Sequence, residues 1–209
     1  RHGFTQPTRF PVSVTYIDAI REAQETLLRE DPRVFLYGQD IATFGGAFKA
    51  TKGLAEMFPN RVFDCPISED AMIGLAVGAA IGGMRPIVEM QFADFVANAF
   101  NQIVNITAKY HYRNGLPVPL VLRLPSGGGI HGGPFHSVNP EAWFFHVPGL
   151  KIVAPATAYD AKGLMKSAIR DDDPVIYFEH KFLYRRIKEE LPQEEYLVPI
   201  GKAALRKEG

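Results

Sequence analysis

Residues 69–92, EDAMIGLAVGAAIGGMRPIVEMQF, join a glycine-rich helical pattern to a short apolar run. The first part predicts a helix at about 69–84, and the run at 86–92 predicts a strand that is apolar on both faces. The same alternation flanks this stretch, with helices predicted at 15–30, 93–110, 140–146 and 158–170, and strands at 34–37, 118–124, 151–155 and 175–179. We therefore predict an α/β fold with three layers, in which helices cover both faces of a mainly parallel sheet of about five or six strands.

The predicted glycine-rich helix carries Gly74, Gly78 and Gly82 at intervals of four residues. Each interior glycine costs up to about 1 kcal/mol of helix propensity, so close packing should compensate for the loss. Two explanations stay open. The helix packs tightly on its own sheet, or it packs against another helix across a subunit interface.

Composition limits the classes of protein to consider. A chain of 209 residues with 46% hydrophobic content can bury one sizeable core. Lys+Arg and Asp+Glu are equal at 23 each, which disfavours nucleic acid and anionic membrane as partners. No apolar run approaches the roughly 18 residues that cross a bilayer, and Cys65 is the single cysteine, which fits a reducing compartment. We expect a protein of the cytoplasm or the mitochondrial matrix.

Three segments are expected along the chain. Residues 1–13 form an N-terminal extension, residues 14–185 form the one domain, and residues 186–209, rich in Glu and Lys, form a linker. The chain opens on Arg1 and stops in a charged stretch, so we expect it to be a piece of a longer protein.

The first candidate site lies just before the glycine-rich helix, in Cys65-Pro66-Ile67-Ser68-Glu69-Asp70. Ser68 is a plausible N-cap, and the two acids suit the positive end of the helix dipole. Glu69 has more apolar neighbours, and two interpretations of it stay open: a half-buried functional carboxylate, or an ordinary acid beside a helix start.

Two further segments indicate a ligand site. Gln91, Phe92 and Phe95 follow a predicted strand, where an open α/β sheet presents ligand groups, although the two rings could be ordinary core. The loop at 126–136 has five glycines with His131 and His136, a composition that favours backbone mobility beside a ligand. The two histidines are five apart without a third ligand, so a proton-transfer role is preferred over a metal.

Other chemistries find little support. Gly45-Gly46 lacks the spacing of a dinucleotide fingerprint, and the sequence contains no lysine-bearing phosphate loop. Neither Ser126 nor Ser137 lies in a nucleophile-elbow pattern. The acidic run at 171–173 is most simply a solvated turn, although its backbone carbonyls could hold a cation.

Taken together, ordered blocks from about residue 14 to 185 resemble the beta subunit of the decarboxylase component of 2-oxoacid dehydrogenase complexes, of branched-chain or pyruvate type. The blocks are PISE at 66–69, QFADF at 91–95, QIVN at 102–105, AKY at 108–110, GGPFHS at 132–137, PEA at 140–142, PGLK at 148–151 and YDAKGL at 159–164. The resemblance implies a transketolase-like pyrimidine-binding domain that uses thiamin diphosphate. It also implies a C-terminal domain that would follow the linker.

The resemblance assigns roles to particular residues. Glu69 matches the glutamate that bonds to the pyrimidine ring nitrogen of the cofactor and promotes loss of the thiazolium carbon proton. Ile67, Gln91 and Phe95 match positions that line the pyrimidine. His136 matches a loop histidine that handles protons while the acyl group passes to lipoamide.

Metals and partners are implied in the same way. A potassium ion is bound in this family mostly by backbone carbonyls, at positions that match Val118, Leu120, Val121, Ala168, Asp171 and Asp173. The alpha subunit holds magnesium and the diphosphate, and this sequence has no Gly-Asp-Gly magnesium motif. The implied partners are that alpha subunit or a fused alpha region, a second beta chain and a lipoyl-bearing acyltransferase.

The implied reaction is oxidative decarboxylation of a 2-oxo acid, with branched-chain substrates slightly preferred over pyruvate because of the loop at 127–137. Two alternatives remain: another transketolase-type thiamin enzyme, and a catalytically silent assembly domain. The block at 91–95 and the absent magnesium motif count against the first alternative.

Overall fold

A computed structural model describes residues 13–205 and 207–208. The strands are β1 Ser13–Thr15, β2 Val34–Gly38, β3 Val62–Asp64, β4 Arg85–Glu89, β5 Val121–Ser126, β6 Lys151–Val153, β7 Val175–His180 and β8 Lys188–Glu190. The α-helices are α1 Tyr16–Glu30, α2 Leu54–Met57, α3 Glu69–Ile81, α4 Ala108–Asn114, α5 Glu141–Phe144 and α6 Ala158–Arg170.

Six of these strands form one parallel sheet in the order β3-β2-β4-β5-β7-β6. Neighbouring residues of a strand enter different cores because side chains alternate across a sheet. Ile87 packs with α1 and α6 on one face, whereas Val88 packs with α3 on the other. The predicted three-layer α/β fold with a parallel sheet is therefore confirmed.

The segment predicted as one helix at 93–110 is helical, but it takes three forms. A 3₁₀ helix at Ala93–Ala99 is followed by a π-helix at Gln102–Thr107 and then by α4. The hydroxyl of Thr107 donates to the carbonyl of Gln102, five residues earlier, at 2.8 Å. That contact matches the spacing of a π turn, a conformation that is frequent at functional sites.

The two ends of the chain can be compared with the predicted N-terminal extension and linker. Residues 1–12 of the expected N-terminal extension lie outside the described residues. At the other end, β8 pairs antiparallel with β1, and the Tyr196 ring stacks on Tyr159 of α6 at 4.3 Å. Part of the expected linker thus lies on the domain, and the boundary at 186 stays a prediction.

Gly149, in the turn before β6, is a position where only glycine fits. Its φ is +95°, and an added Cβ would lie 1.8 Å from the carbonyl oxygen of Ala108. Gly83 has a similar φ of +92° with nothing within 4 Å, so it is a matched control for backbone strain alone. We expect Gly149→Ala to lower the free energy of unfolding by about 1 to 2 kcal/mol more than Gly83→Ala. Urea denaturation of both variants is the measurement, and equal losses would contradict the predicted clash.

Candidate active site

A buried carboxylate lies at the carboxyl edge of the sheet, where α3 begins. Glu69 is only 7% exposed. Its Oε1 accepts from the Gln39 amide at 3.3 Å and its Oε2 accepts from the Asn98 amide at 3.4 Å. Gln39 directly follows β2, and Asn98 lies in the 3₁₀ helix, so two distant segments meet at this carboxylate. Both amides are neutral, so neither cancels the negative charge of Glu69. That charge stays available to a ligand.

The start of α3 agrees only in part with the predicted N-cap. Ser68 occupies the N-cap position of α3, but its side chain makes no capping hydrogen bond, so that part of the prediction is wrong. Its φ of −165° and ψ of 82° differ from the usual cap conformation. Ile67 is 80% exposed beside the buried Glu69. An apolar side chain and a carboxylate therefore adjoin at the helix start.

Aromatic rings form the second part of the site. The His136 imidazole lies 4.4 Å from the Phe92 ring and 5.7 Å from the Phe95 ring, and both contacts are edge-on. Phe92 also contacts Phe48 at 5.4 Å. The 3₁₀ helix that carries Phe95 carries Asn98 as well, and this connects the rings with Glu69.

Gln91 lies at the same edge, directly after β4, but it is already partnered. Its amide donates to Asp40 Oδ2 at 3.1 Å. Asp40 has a φ of +55°, which is uncommon outside glycine. Sequence reasoning missed Gln39, Asp40 and Asn98. The first two follow β2 at the carboxyl edge of a parallel sheet, and that position was the available signal.

The single cysteine adjoins this site without becoming a nucleophile. Burial, with the charges of Asp64 and Glu69, raises the pKa of the Cys65 thiol to about 11, although a hydrogen bond with Tyr37 acts in the opposite direction. A thiol with so high a pKa stays protonated at neutral pH, and the thiolate is the reactive form.

The residues matched to potassium binding meet at the opposite edge of the sheet. The backbone N–H of Val118 donates to the Asp172 carbonyl at 3.0 Å, and Ala168 O accepts from Asp171 N at 3.2 Å. Leu120 O accepts from Val175 N at 2.8 Å. Val175 is also the residue that pairs with Val121 between β5 and β7. The structure thus brings this set together.

Positive charge is already present in that cluster. Lys151 Nζ contacts Asp171 at 2.7 Å and Asp173 at 3.2 Å, and an Arg85 nitrogen donates to Asp171 O at 3.0 Å. The acidic turn is therefore partnered rather than merely solvated. Among the described residues, no group of three or more His, Cys, Asp or Glu side chains is arranged to hold a metal ion. The potassium site stays a prediction of the resemblance.

A buried charge cluster, unpredicted from sequence, supports the strands beneath the site. Arg123 is 1% exposed and donates to Glu179 at 2.5 and 2.8 Å, and it also donates to Glu89. Tyr184 donates to Glu179 at 2.8 Å. Burial raises the pKa of Glu89, with the Arg123 charge opposing that rise. One guanidinium thus connects β4, β5 and β7.

Lys181 is a second buried cation, 3% exposed at the end of β7. It donates to Pro125 O at 3.1 Å and lies 5.6 Å from the centroid of Phe92. Burial lowers the pKa of its ammonium from 10.5 to about 8, although the charge of Asp94 acts in the opposite direction.

This shift predicts a pH-dependent stability. Below pH 8, Lys181 is charged in both states and its burial opposes folding. Between pH 8 and 10.5 the folded chain releases the proton first, so stability rises with pH. We expect a gain of about 1 to 2 kcal/mol, absent in Lys181→Met. Urea denaturation at several pH values tests this, with Lys52→Met as the exposed control; identical pH profiles for wild type and Lys181→Met would contradict it.

The structure is thus an α/β domain whose parallel sheet carries a buried carboxylate and a ring cluster at its carboxyl edge. The family described as "Transketolase, pyrimidine binding domain" matches residues 12–186, and the chain belongs to that family. In particular, the chain is similar to beta subunits of 2-oxoacid dehydrogenases, which confirms the resemblance seen in the sequence.

Three relatives define that similarity. The 2-oxoisovalerate dehydrogenase subunit beta of Bacillus subtilis (strain 168) is 53% identical, and the match covers 94% of this chain and 61% of that relative. For subunit beta 2, mitochondrial, of the same enzyme from Arabidopsis thaliana, the values are 45%, 94% and 56%. For the pyruvate dehydrogenase E1 component subunit beta of Staphylococcus aureus they are 44%, 94% and 61%. The chain therefore spans about three fifths of these curated relatives.

A solved structure agrees with the fold. A split-gene transketolase, an inactive beta4 tetramer, superposes with a TM-score of 0.70 over 89% of this chain and 57% of that chain. Its identity is 22%, so it supports the fold alone. Among residues 13–205 and 207–208, no helix is long and apolar enough to cross a bilayer.

Proposed function

We propose that this chain is the pyrimidine-binding part of the beta subunit of a 2-oxoacid dehydrogenase, which decarboxylates a 2-oxo acid oxidatively and transfers the acyl group to a lipoyl domain. The observation that carries the proposal is the burial of Glu69 beside the exposed Ile67, with two side-chain amides as the hydrogen-bond donors to its carboxylate among the described residues. A catalytically silent assembly domain would have no need for a buried acid that forms no ion pair with any described residue, because burying a charge is costly even where amides donate to it.

These residues fit an aminopyrimidine. Ile67 and Phe95 offer apolar surface to a ring, and Gln91, whose amide nitrogen is bonded to Asp40, offers its amide oxygen for the polar edge. The carboxylate of Glu69 would hold a proton at a ring nitrogen, and the imidazole of His136 would move protons on the substrate side of the site. Thiamin diphosphate, when bound, would supply the reactive thiazolium carbon.

The site is divided between chains in this proposal. The alpha subunit, or a fused alpha region, holds the diphosphate and magnesium, a second beta chain completes the tetramer, and a lipoyl-bearing acyltransferase receives the product. We place the assembly in the bacterial cytoplasm or the mitochondrial matrix, because the relatives come from bacteria and from mitochondria. The segments 1–13, 14–185 and 186–209 remain as proposed, with a further domain after the last.

Branched-chain 2-oxo acids are the proposed substrates. The named 2-oxoisovalerate relatives are 53% and 45% identical, against 44% for the pyruvate relative from Staphylococcus aureus. The glycine-rich loop at 127–137 supports the same choice. Potassium is retained only as a family expectation for residues 118, 120, 121, 168, 171 and 173, and no step depends on it.

The divided site predicts weak cofactor binding by this chain alone. Without the alpha subunit, the diphosphate and its magnesium have no partner among the motifs of this sequence, so most of the binding energy is missing. Calorimetric titration with thiamin diphosphate and magnesium should give an affinity at least about 10²-fold weaker than that of the alpha–beta complex. Equally tight binding by the isolated chain would refute the divided site.

A further inference from the structure

One carboxylate fastens the glycine-rich loop to the ring cluster. Asp94 Oδ1 accepts the backbone N–H of Ser137 at 3.1 Å and that of Val138 at 3.2 Å. These are the two residues directly after His136. Because Asp94 lies in the 3₁₀ helix that begins after Phe92, the loop is tied to the element whose rings contact the imidazole.

Two other hydrogen bonds involve Ser137 and Val138. Ser137 Oγ donates to Gly133 O at 2.7 Å within the loop, and Gly127 N donates to Val138 O at 2.9 Å. Because Gly127 directly follows β5, the second bond joins Val138 to the end of that strand. The bonds from Asp94 join the backbone next to the imidazole to the 3₁₀ helix that carries Phe95.

These bonds involve only one of the two carboxylate oxygens of Asp94. Its Oδ2 is buried and has no hydrogen-bond partner among the described residues. The buried Lys181 ammonium lies nearby, and the charge of Asp94 raises its pKa against the larger effect of burial. The carboxylate is thus held close to a buried cation and bonded to backbone N–H groups, an arrangement that makes strong hydrogen bonds.

We propose that Asp94 is a positioning residue, which holds His136 against Phe92 and Phe95 at the place where the imidazole handles protons. This inference rests on the proposed function, since that function gives His136 its task. Asp94 acts through the backbone of Ser137 and Val138.

The first test reads the loop directly, without catalysis. Amide hydrogen exchange of residues 127–140 is followed by mass spectrometry in the alpha–beta complex without added cofactor. Asp94→Ala removes the one oxygen that accepts both bonds and should speed exchange at Ser137 and Val138 about 10-fold or more, whereas Asp94→Asn keeps one oxygen and should change it less. Asp31→Ala is the control, because Asp31 also accepts a backbone N–H, from Arg33 at 2.9 Å, at the opposite edge of the sheet. Unchanged exchange in Asp94→Ala would overturn the proposal.

The second test separates two partial reactions of the complete enzyme. Acyl transfer to a lipoyl domain, the step given to His136, should fall about 10²-fold in Asp94→Ala, because small misplacements of a catalytic group have effects of this size. Asp94→Asn should recover most of it. Exchange of the thiazolium carbon proton, the step given to Glu69, should stay within about 3-fold of wild type. Equal loss of both steps in Asp94→Asn would mean a general structural role and would overturn the proposal.

A double mutant connects Asp94 with His136. If Asp94 acts through the imidazole, Asp94→Ala adds nothing to the loss caused by His136→Ala, since residues of one unit are not additive. Additive losses would overturn the proposal. If His136→Ala transferred acyl groups at the wild-type rate, the proposed function would lose its histidine step. Hydrogen exchange would still decide whether Asp94 holds the loop.

Discussion

Glu69→Gln is expected to reduce turnover of the alpha–beta complex by about 10² to 10⁴, the usual contribution of a general acid or base. Glutamine keeps the shape of the side chain and can still make a hydrogen bond, but it cannot hold a proton at the pyrimidine nitrogen. Cofactor affinity should therefore fall less than turnover does. Gln39 and Asn98 each donate to one oxygen of Glu69. In the variant only one of these two donors would still face an oxygen, because glutamine has a single amide oxygen.

Two measurements check this expectation. One is acylation of a lipoyl domain, and the other is hydrogen–deuterium exchange at the thiazolium carbon. Asp70→Asn is the matched control, because Asp70 is the next residue, is exposed, and accepts from Gln102 at 3.4 Å outside the ring cluster. If Glu69→Gln exchanged that proton and turned over at the wild-type rate, the assigned role of Glu69 would be wrong. Glu69 would then be an ordinary acid beside a helix start.

The largest stability effect is expected at Arg123. Arg123→Met leaves Glu89 and Glu179 buried without their cation, and breaking a buried ion pair from one side costs about 3 to 5 kcal/mol. Arg33→Met is the control, since Arg33 forms its ion pair with Asp31 at the surface, where such pairs contribute little to stability. Urea denaturation at pH 7 should separate the two variants clearly. A loss of under about 1 kcal/mol in Arg123→Met would contradict the role of the cluster.

The same variant should show a defined pH dependence. Burial raises the pKa of Glu89 even in the presence of Arg123, and loss of the opposing cation would raise it further. A carboxyl group with a raised folded-state pKa favours the folded state at low pH and loses that contribution as the pH rises through the folded pKa. The deficit of Arg123→Met relative to wild type should therefore be smaller at pH 5 than at pH 7. A second substitution, Glu89→Gln, should also reduce the deficit at pH 7, because it removes one unpaired charge.

Sequence periodicity was sufficient for the element order. The alternation of amphipathic helices with apolar strands predicted the three-layer sheet, because buried parallel strands must be apolar on both faces. The short strands β3, β1 and β8 were missed. β3 has two exposed residues among three, and β1 and β8 form a separate ribbon with little burial, so neither leaves a clear periodic signal.

Motifs predicted the candidate site in part. The block at 66–69 indicated Glu69, the block at 91–95 indicated Phe95, and the glycine-rich loop indicated His136. Their meeting at one edge of the sheet agrees with the rule that ligands bind at the carboxyl ends of parallel strands. Ser68 holds the predicted N-cap position, but its backbone conformation is not that of a usual cap and its side chain makes no capping hydrogen bond.

By itself, the sequence determined which residue types line the site and in what order the layers form, since both depend on local periodicity and short motifs. Only the tertiary structure decided which groups hold them in place. Gln39 and Asn98 reach Glu69 from positions about thirty residues away, and Asp94 reaches the backbone of Ser137 from 43 residues away. Arg123 meets Glu89 and Glu179 in the same manner across three strands. A hydrogen bond between distant residues leaves no periodic trace in either segment, because it depends on how the strands are ordered in the sheet.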